Sequence, residues 1–187
     1  MRILAVSIFS LLLALGKSVG QPSMLELPKP HFVYPKGFEV VNAKQAAELL
    51  GTETLPMITT VSETGETVIT YDSEYHPDKG LKLEKLKSVL PGLLKEQSPN
   101  INWLAYDYTK FDGDTWIYGE FNSSNPEDNR YNIIMQTVKN DMLFNVNVAS
   151  TREEFARIGE EIRACLAETT LKVQAINLQP SFEESSQ

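Results

Sequence analysis

Apolar residues recur along this chain at two periods, and the period switches where turn-forming residues stand. Phe38–Val41 reads as a short strand. Asn42 with Gln45 three residues on is a capping-box start for a helix, and Gly51 stops it after Leu50. Residues 56–61 and 66–72 are β-branched runs separated by a turn at Glu63–Gly65, so they predict two strands. Leu83, Leu86, Leu90, Leu93 and Leu94 then recur at spacings of three and four, which is one stripe of a helix. Pro91 lies inside that stripe, and a missing backbone donor there predicts a kink or break near Leu90. The last helix is marked by a second capping box, Thr151 with Glu154. Phe155, Ile158, Ile162, Cys165, Leu166 and Thr169 line its apolar side. Arg152, Glu153, Arg157, Glu160, Glu161 and Arg163 fill the opposite side, with Glu153 and Arg157 at pairing distance. Mixed charges at helical spacing describe a solvated face.

The stretch TKFDGDTWIYGEF, residues 109–121, admits three readings. An EF-hand loop with Gly113 at its sixth position would need oxygen ligands at Tyr108 and Lys110, so that reading fails. Asp112 and Asp114 alone are too few for calcium. A two-residue hairpin tip at Asp112–Gly113 suits the positive φ that such turns demand. It pairs Lys110 with Thr115, Tyr108 with Ile117, Tyr106 with Gly119 and Leu104 with Phe121 on one face. Thr109 with Trp116, Asp107 with Tyr118 and Trp103 with Asn122 fall on the other. A slip by one residue mixes these classes, which favours the hairpin. Asn140–Asp141 makes a second tip, pairing Thr137 with Phe144, Met135 with Val146 and Ile133 with Val148. Gln136 with Asn145 and Ile134 with Asn147 share its reverse face. Four antiparallel strands therefore run from about Ile101 to Val148, with the final helix available to cover one side. NSSNPEDNR, residues 122–130, reads as a polar surface linker in which Asn122 begins a glycosylation triplet.

Composition changes the picture at the ends. MRILAVSIFSLLLALGKSVG has an early Arg2, an apolar run from Ile3 to Leu15 and small residues at Ser18 and Gly20. That is the layout of a secretory signal peptide over residues 1–20, and its run is short of the roughly 20 residues that span a bilayer. Residues 21–37 carry four prolines and read as an extended leader, 38–174 as a single domain, and 175–187 as an aperiodic disordered tail. The net charge is −8 overall; without Arg2 and Lys17 it is −10, from 15 basic and 25 acidic residues. Such a surface repels nucleic acid and anionic membranes. Lys79, Lys82, Lys85, Lys87 and Lys95 are interleaved with leucines and Glu84, as on a solvated helix face. Cys165 is the single cysteine, so an exported chain has no internal disulfide to lean on.

The order strand, helix, two strands, helix, four strands, helix, with FDGDTWIYGEF and MLFNVNVASTREEFARIGEEIRACL towards its end, resembles a known superfamily. It groups PsbP-type photosystem subunits, Ran-binding Mog-type factors and DcrB- and LpqN-like exported proteins. The resemblance spans about Phe38 to Val173 and implies an α+β fold, a curved antiparallel sheet sandwiched between helices. It also implies a non-enzymatic protein that docks on partners or assists assembly, with no shared catalytic residues to carry over.

The residues themselves offer little chemistry. No nucleophile elbow, zincin helix, Walker loop or dinucleotide glycine loop is present, and the histidines are His31 and His76 alone. No cofactor is implied. In SEYHPD, residues 73–78, Pro77 biases His76 towards extended backbone. Glu74, His76 and Asp78 then point one way, a set able to hold zinc or a similar ion; a plain exposed loop is the alternative. The hairpin face carrying Trp103, Phe111, Trp116 and Tyr118, beside Asp107 and Glu120, is either core beneath a helix or a stacking surface for a sugar or protein. The expectation is an exported non-enzymatic module that docks on a protein partner or assists envelope assembly. A carrier of a small or apolar ligand between sheet and helix comes second, and a hydrolase with a spatially assembled site last.

Overall fold

A computed structural model describes residues 28–76, 81–125 and 128–173 of the chain. In order, its elements are β1 (Pro28–His31), β2 (Glu39–Val40), α1 (Ala43–Leu50), β3 (Ile58–Val61), β4 (Thr67–Tyr75) and α2 (Leu83–Gln97). There follow β5 (Ile101–Phe111), β6 (Asp114–Asn125), β7 (Asp128–Lys139), β8 (Met142–Thr151), α3 (Arg152–Ala167) and β9 (Thr170–Val173). Seven strands form one antiparallel sheet in the order β2-β3-β4-β8-β7-β6-β5, and β1 pairs with β9 in a separate ribbon.

Both tight turns form where positive φ is tolerated. Asp112 and Gly113 have φ of 47° and 83°, and Asn140 and Asp141 have 51° and 59°. The β7–β8 register is the expected one throughout, Thr137 opposite Phe144 and Ile133 opposite Val148. The β5–β6 register holds from Lys110–Thr115 to Tyr106–Gly119, and then a bulge between Trp103 and Ala105 shifts it. Beyond the bulge Trp103 faces Phe121, and Asn102 faces Asn122. The expected pairs Leu104–Phe121 and Trp103–Asn122 do not form, because one extra residue reverses the facing of everything beyond it. The polar stretch 122–130 is likewise no loose linker, since β6 and β7 run on through it up to Asn125 and from Asp128. Ser123 and Asn132 are buried there and satisfy each other, Asn132 Nδ2 donating to Ser123 Oγ at 2.9 Å.

Each sheet face has its own core. On one side α3 lays Phe155, Ile162 and Leu166 over Ile69, Tyr71, Trp116, Met135 and Phe144. On the other, α2 sets Leu86, Leu90 and Leu94 on Ile117, Phe121, Ile134 and Leu143, while Leu50 of α1 meets Val68. The result is a helix–sheet–helix sandwich. The leader contributes too: Phe32 lies against Tyr71 with ring centroids 4.2 Å apart, and the Tyr71 hydroxyl donates to the Val33 carbonyl at 3.1 Å.

The helix ends follow the sequence in part. Asn42 and Gln45 form a reciprocal capping box, and Gly51 ends α1 at φ 65°. At α3 the Glu154 amide donates to Thr151 Oγ1 at 3.1 Å, but the return bond is not made. The Thr151 amide already donates to the Glu66 carbonyl, and the Glu154 carboxylate turns to Thr67, Ser62 and Thr64. Arg157 pairs with Glu154, at 3.1 Å, rather than with Glu153. Pro91 does not break α2, which runs through it. The carbonyl that Pro91 cannot serve, that of Lys87, accepts the Tyr106 hydroxyl at 2.6 Å instead.

Candidate functional site

The aromatic face expected on the β5–β6 hairpin is divided between the two cores. Trp116 is fully buried beneath α3, with Phe111 and Tyr118 packed beside it. The bulge turns Trp103 to the α2 side, where its ring lies 4.6 Å from Tyr106 and 4.9 Å from Phe121. Gly119 makes that placement possible, since a Cβ there would come within 2.8 Å of the Trp103 ring. The four aromatics therefore form no common stacking surface.

Glu120, next to Tyr118, anchors a network that residue spacing alone did not reveal. Its carboxylate accepts Arg163 Nε at 2.8 Å and Nη2 at 2.9 Å, together with the hydroxyls of Tyr118 and Tyr131. Burial pushes this carboxyl up, but the guanidinium and the two hydroxyls outweigh it and hold the pKa at about 2. Burial and the carboxylate together push Tyr131 up to about 12 and Tyr118 higher still. Tyr131 stacks on Phe155 at 3.7 Å. Every partner here is satisfied within the fold, so the network clamps α3 to the sheet. Nearby on α3, the Cys165 thiol is pushed up by burial and by Glu161 and Glu168, the opposite of nucleophile activation.

Of the expected metal set, Asp78 lies outside the described residues. Glu74 and His76 do face each other, Oε2 to Nε2 at 3.4 Å, an ionic approach longer than a good hydrogen bond. Among the described residues no three His, Cys, Asp or Glu side chains gather closely enough to hold a metal ion.

Glu74 stands instead at the end of a polar strip on the α1/α2 side of the sheet. Cross-strand partners share a face. One row therefore runs Gln136 (β7), Asn145 (β8), Asp72 (β4), and the next runs Ile134, Asn147, Thr70 and Thr59. Gln136 Nε2 donates to Asn145 Oδ1 at 2.7 Å, and the Met57 amide donates to Asp72 Oδ1 at 3.3 Å. Gln136 Oε1, Asn147 Oδ1 and Thr59 Oγ1 are buried without a hydrogen-bond partner. Burial, with Glu74 adding to it against two backbone amides, raises the Asp72 carboxyl to about 6. No local motif marks this strip in the sequence, because its members come from four strands.

The remaining open feature is the edge. β5 is hydrogen-bonded on one side only among the described residues, to β6. Leu104 and Tyr108 on it are 51% and 41% exposed. Lys87 of α2 reaches across, its Nζ 2.6 Å from Asp107 and 4.0 Å from the Tyr108 ring centroid.

No family model matches the chain, and no curated protein matches it. Solved structures do. Cyanobacterial PsbP (CyanoP) from Synechocystis sp. PCC 6803 superposes with a TM-score of 0.56 at 11% identity, over 84% of this chain and 99% of that one. LpqN, involved in cell envelope biogenesis of Mycobacterium tuberculosis, superposes with a TM-score of 0.60 at 12% identity, over 78% of this chain and 84% of its own. The fold is of the PsbP and LpqN type. At such identities the likeness concerns the fold alone, and a PsbP/LpqN-type sandwich can carry unrelated functions. Among the described residues no helix is long and apolar enough to cross a membrane.

Proposed function

We propose that the chain is an exported, non-enzymatic module that docks on a protein partner along the open edge of β5. The observation that carries this reading is the edge itself. Ala105–Phe111 is a regular run paired on its inner side alone; the Tyr108 amide donates locally to Asp107 Oδ1 at 2.8 Å, and the run presents the Tyr108 ring, with the bulged Leu104 just before it. An extended segment of a partner can add there as a further strand, main-chain hydrogen bonds giving affinity and exposed side chains giving selectivity. The signal-peptide layout of residues 1–20 supports export, and the envelope role printed for LpqN is in keeping with it. An apolar cargo between sheet and helix has less support, because Leu86, Leu90 and Leu94 fill that space.

The test is capture from an envelope fraction or culture fluid by protein starting at Gln21, beside a Leu104→Asp/Tyr108→Asp variant. Neither side chain belongs to a buried core cluster, and circular dichroism with thermal melting checks that the variant is folded, a small loss from the Lys87–Tyr108 contact being expected. A partner held by the wild type and lost by the folded variant supports edge docking. A partner held equally by both, or none held by either, overturns it.

A further inference from the structure

The polar strip on the α1/α2 side runs from interior to surface along a single row. Gln136 is 0% exposed, Asn145 8%, Asp72 is half-buried, and Met57, whose amide meets Asp72, is 51% exposed. Buried polar groups in folded proteins are almost always paired, so three unpartnered atoms in adjacent rows call for an external partner. Gln136 Oε1 and Asn147 Oδ1 only accept, and the Thr59 hydroxyl can do so. Turning the Gln136 amide alone would break its bond to Asn145 Oδ1, and turning both amides together would leave Gln136 Nε2 as the unpartnered atom in place of Oε1. Beside these acceptors stand the carboxyls of Asp72 and Glu74. The amides and hydroxyls of the strip can both give and accept hydrogen bonds, and the carboxylates of Asp72 and Glu74 at its outer end set the preference for a donor carrying positive charge.

We propose that this strip binds a small organic cation bearing N–H donors, an alkylammonium or guanidinium group, which enters past Met57 and Asp72 and reaches Gln136 and Asn147. A single metal ion fits poorly. Gln136 and Asp72 stand two strands apart, about 10 Å at the usual strand spacing, whereas oxygen ligands lie roughly 2.5 Å from a bound cation. A ligand with donors spread along its length spans the row. An ammonium at the Asp72 end also replaces the water that this carboxylate loses on burial.

Agmatine, which carries one group of each kind, is the probe. Titrated into the 15N-labelled protein, it moves the side-chain amide signals of Gln136, Asn145 and Asn147 in a saturable way. Asp72→Asn, which keeps the shape and removes the charge, weakens binding at least tenfold. 1,5-Pentanediol, similar in length but uncharged, causes no shift. The inference is overturned if those amides stay still at millimolar agmatine, if Asp72→Asn binds equally well, or if pentanediol or calcium reproduces the shifts. The strip and the β5 edge are separate places, so either proposal stands or falls without the other.

Discussion

At the scale of the residue, Tyr106 shows how one side chain repairs a defect on another element. Pro91 leaves the Lys87 carbonyl without its helical donor, and the Tyr106 hydroxyl supplies one from β5. Burial pushes that hydroxyl's pKa up to about 12, so it remains a donor across the neutral range. Tyr106→Phe is expected to cost about 1 kcal/mol in urea unfolding, the net worth of a partly buried hydrogen bond. In a Pro91→Ala background the backbone amide restored at position 91 takes the same carbonyl, and the cost of Tyr106→Phe shrinks towards zero. An undiminished cost there would show that the ring, not the hydroxyl, matters. Gly119 is a second such point. Gly119→Ala presses Trp103, Ile134 and Tyr106 at 2.8 to 3.1 Å, and overpacking of this kind costs about 1–3 kcal/mol.

At the scale of the element, what was legible in the sequence is what local chemistry decides. The two hairpin tips were readable because Asp112–Gly113 and Asn140–Asp141 tolerate positive φ, and because parity sorted the cross-strand pairs. The bulge at Leu104 was not, since an extra residue leaves no mark on composition; it alone moved Trp103 to the other core. The capping box of α3 was half legible for a similar reason. Thr151 caps Glu154 locally, but the reciprocal bond lost to a tertiary competitor, the Glu66 carbonyl, and the freed Glu154 carboxylate became a pin. That residue is 3% exposed, and its carboxylate accepts Thr67 Oγ1 at 2.7 Å, Ser62 Oγ at 3.2 Å and Arg157 Nη2 at 3.1 Å. The two roles separate on mutation. Thr151→Ala removes a cap and costs about 1 kcal/mol. Glu154→Ala takes the shared charged acceptor from the Thr67, Ser62 and Thr64 hydroxyls, costs roughly 3 kcal/mol, and loosens the β3–β4 turn, seen as faster amide exchange at Gly65 and Thr67. Equal losses for both variants would contradict the pin.

At the scale of the whole molecule, two carboxylates on opposite sheet faces set opposing dependences on pH. Glu120 has its pKa held at about 2 in the fold against an ordinary 4.5. Its contribution is therefore complete above 4.5 and drains away as the pH falls towards 2, on the order of 2–3 kcal/mol in all. Asp72 behaves in reverse. Its pKa rises from 3.8 to about 6 on folding, so the folded state gains relative to the unfolded below 3.8, and that gain is lost as the pH climbs through 6. For these two groups alone, stability is greatest between about pH 4 and 5 and declines on either side. Asp72→Asn removes the decline between pH 4 and 6 and leaves the acid limb, whereas Glu120→Gln flattens the acid limb and lowers stability at neutral pH. Urea midpoints taken from pH 3 to 7 on the three proteins decide the matter. If Asp72→Asn leaves the slope between pH 4 and 6 unchanged, the strip is already solvated and Asp72 carries no burial penalty for a cationic ligand to relieve.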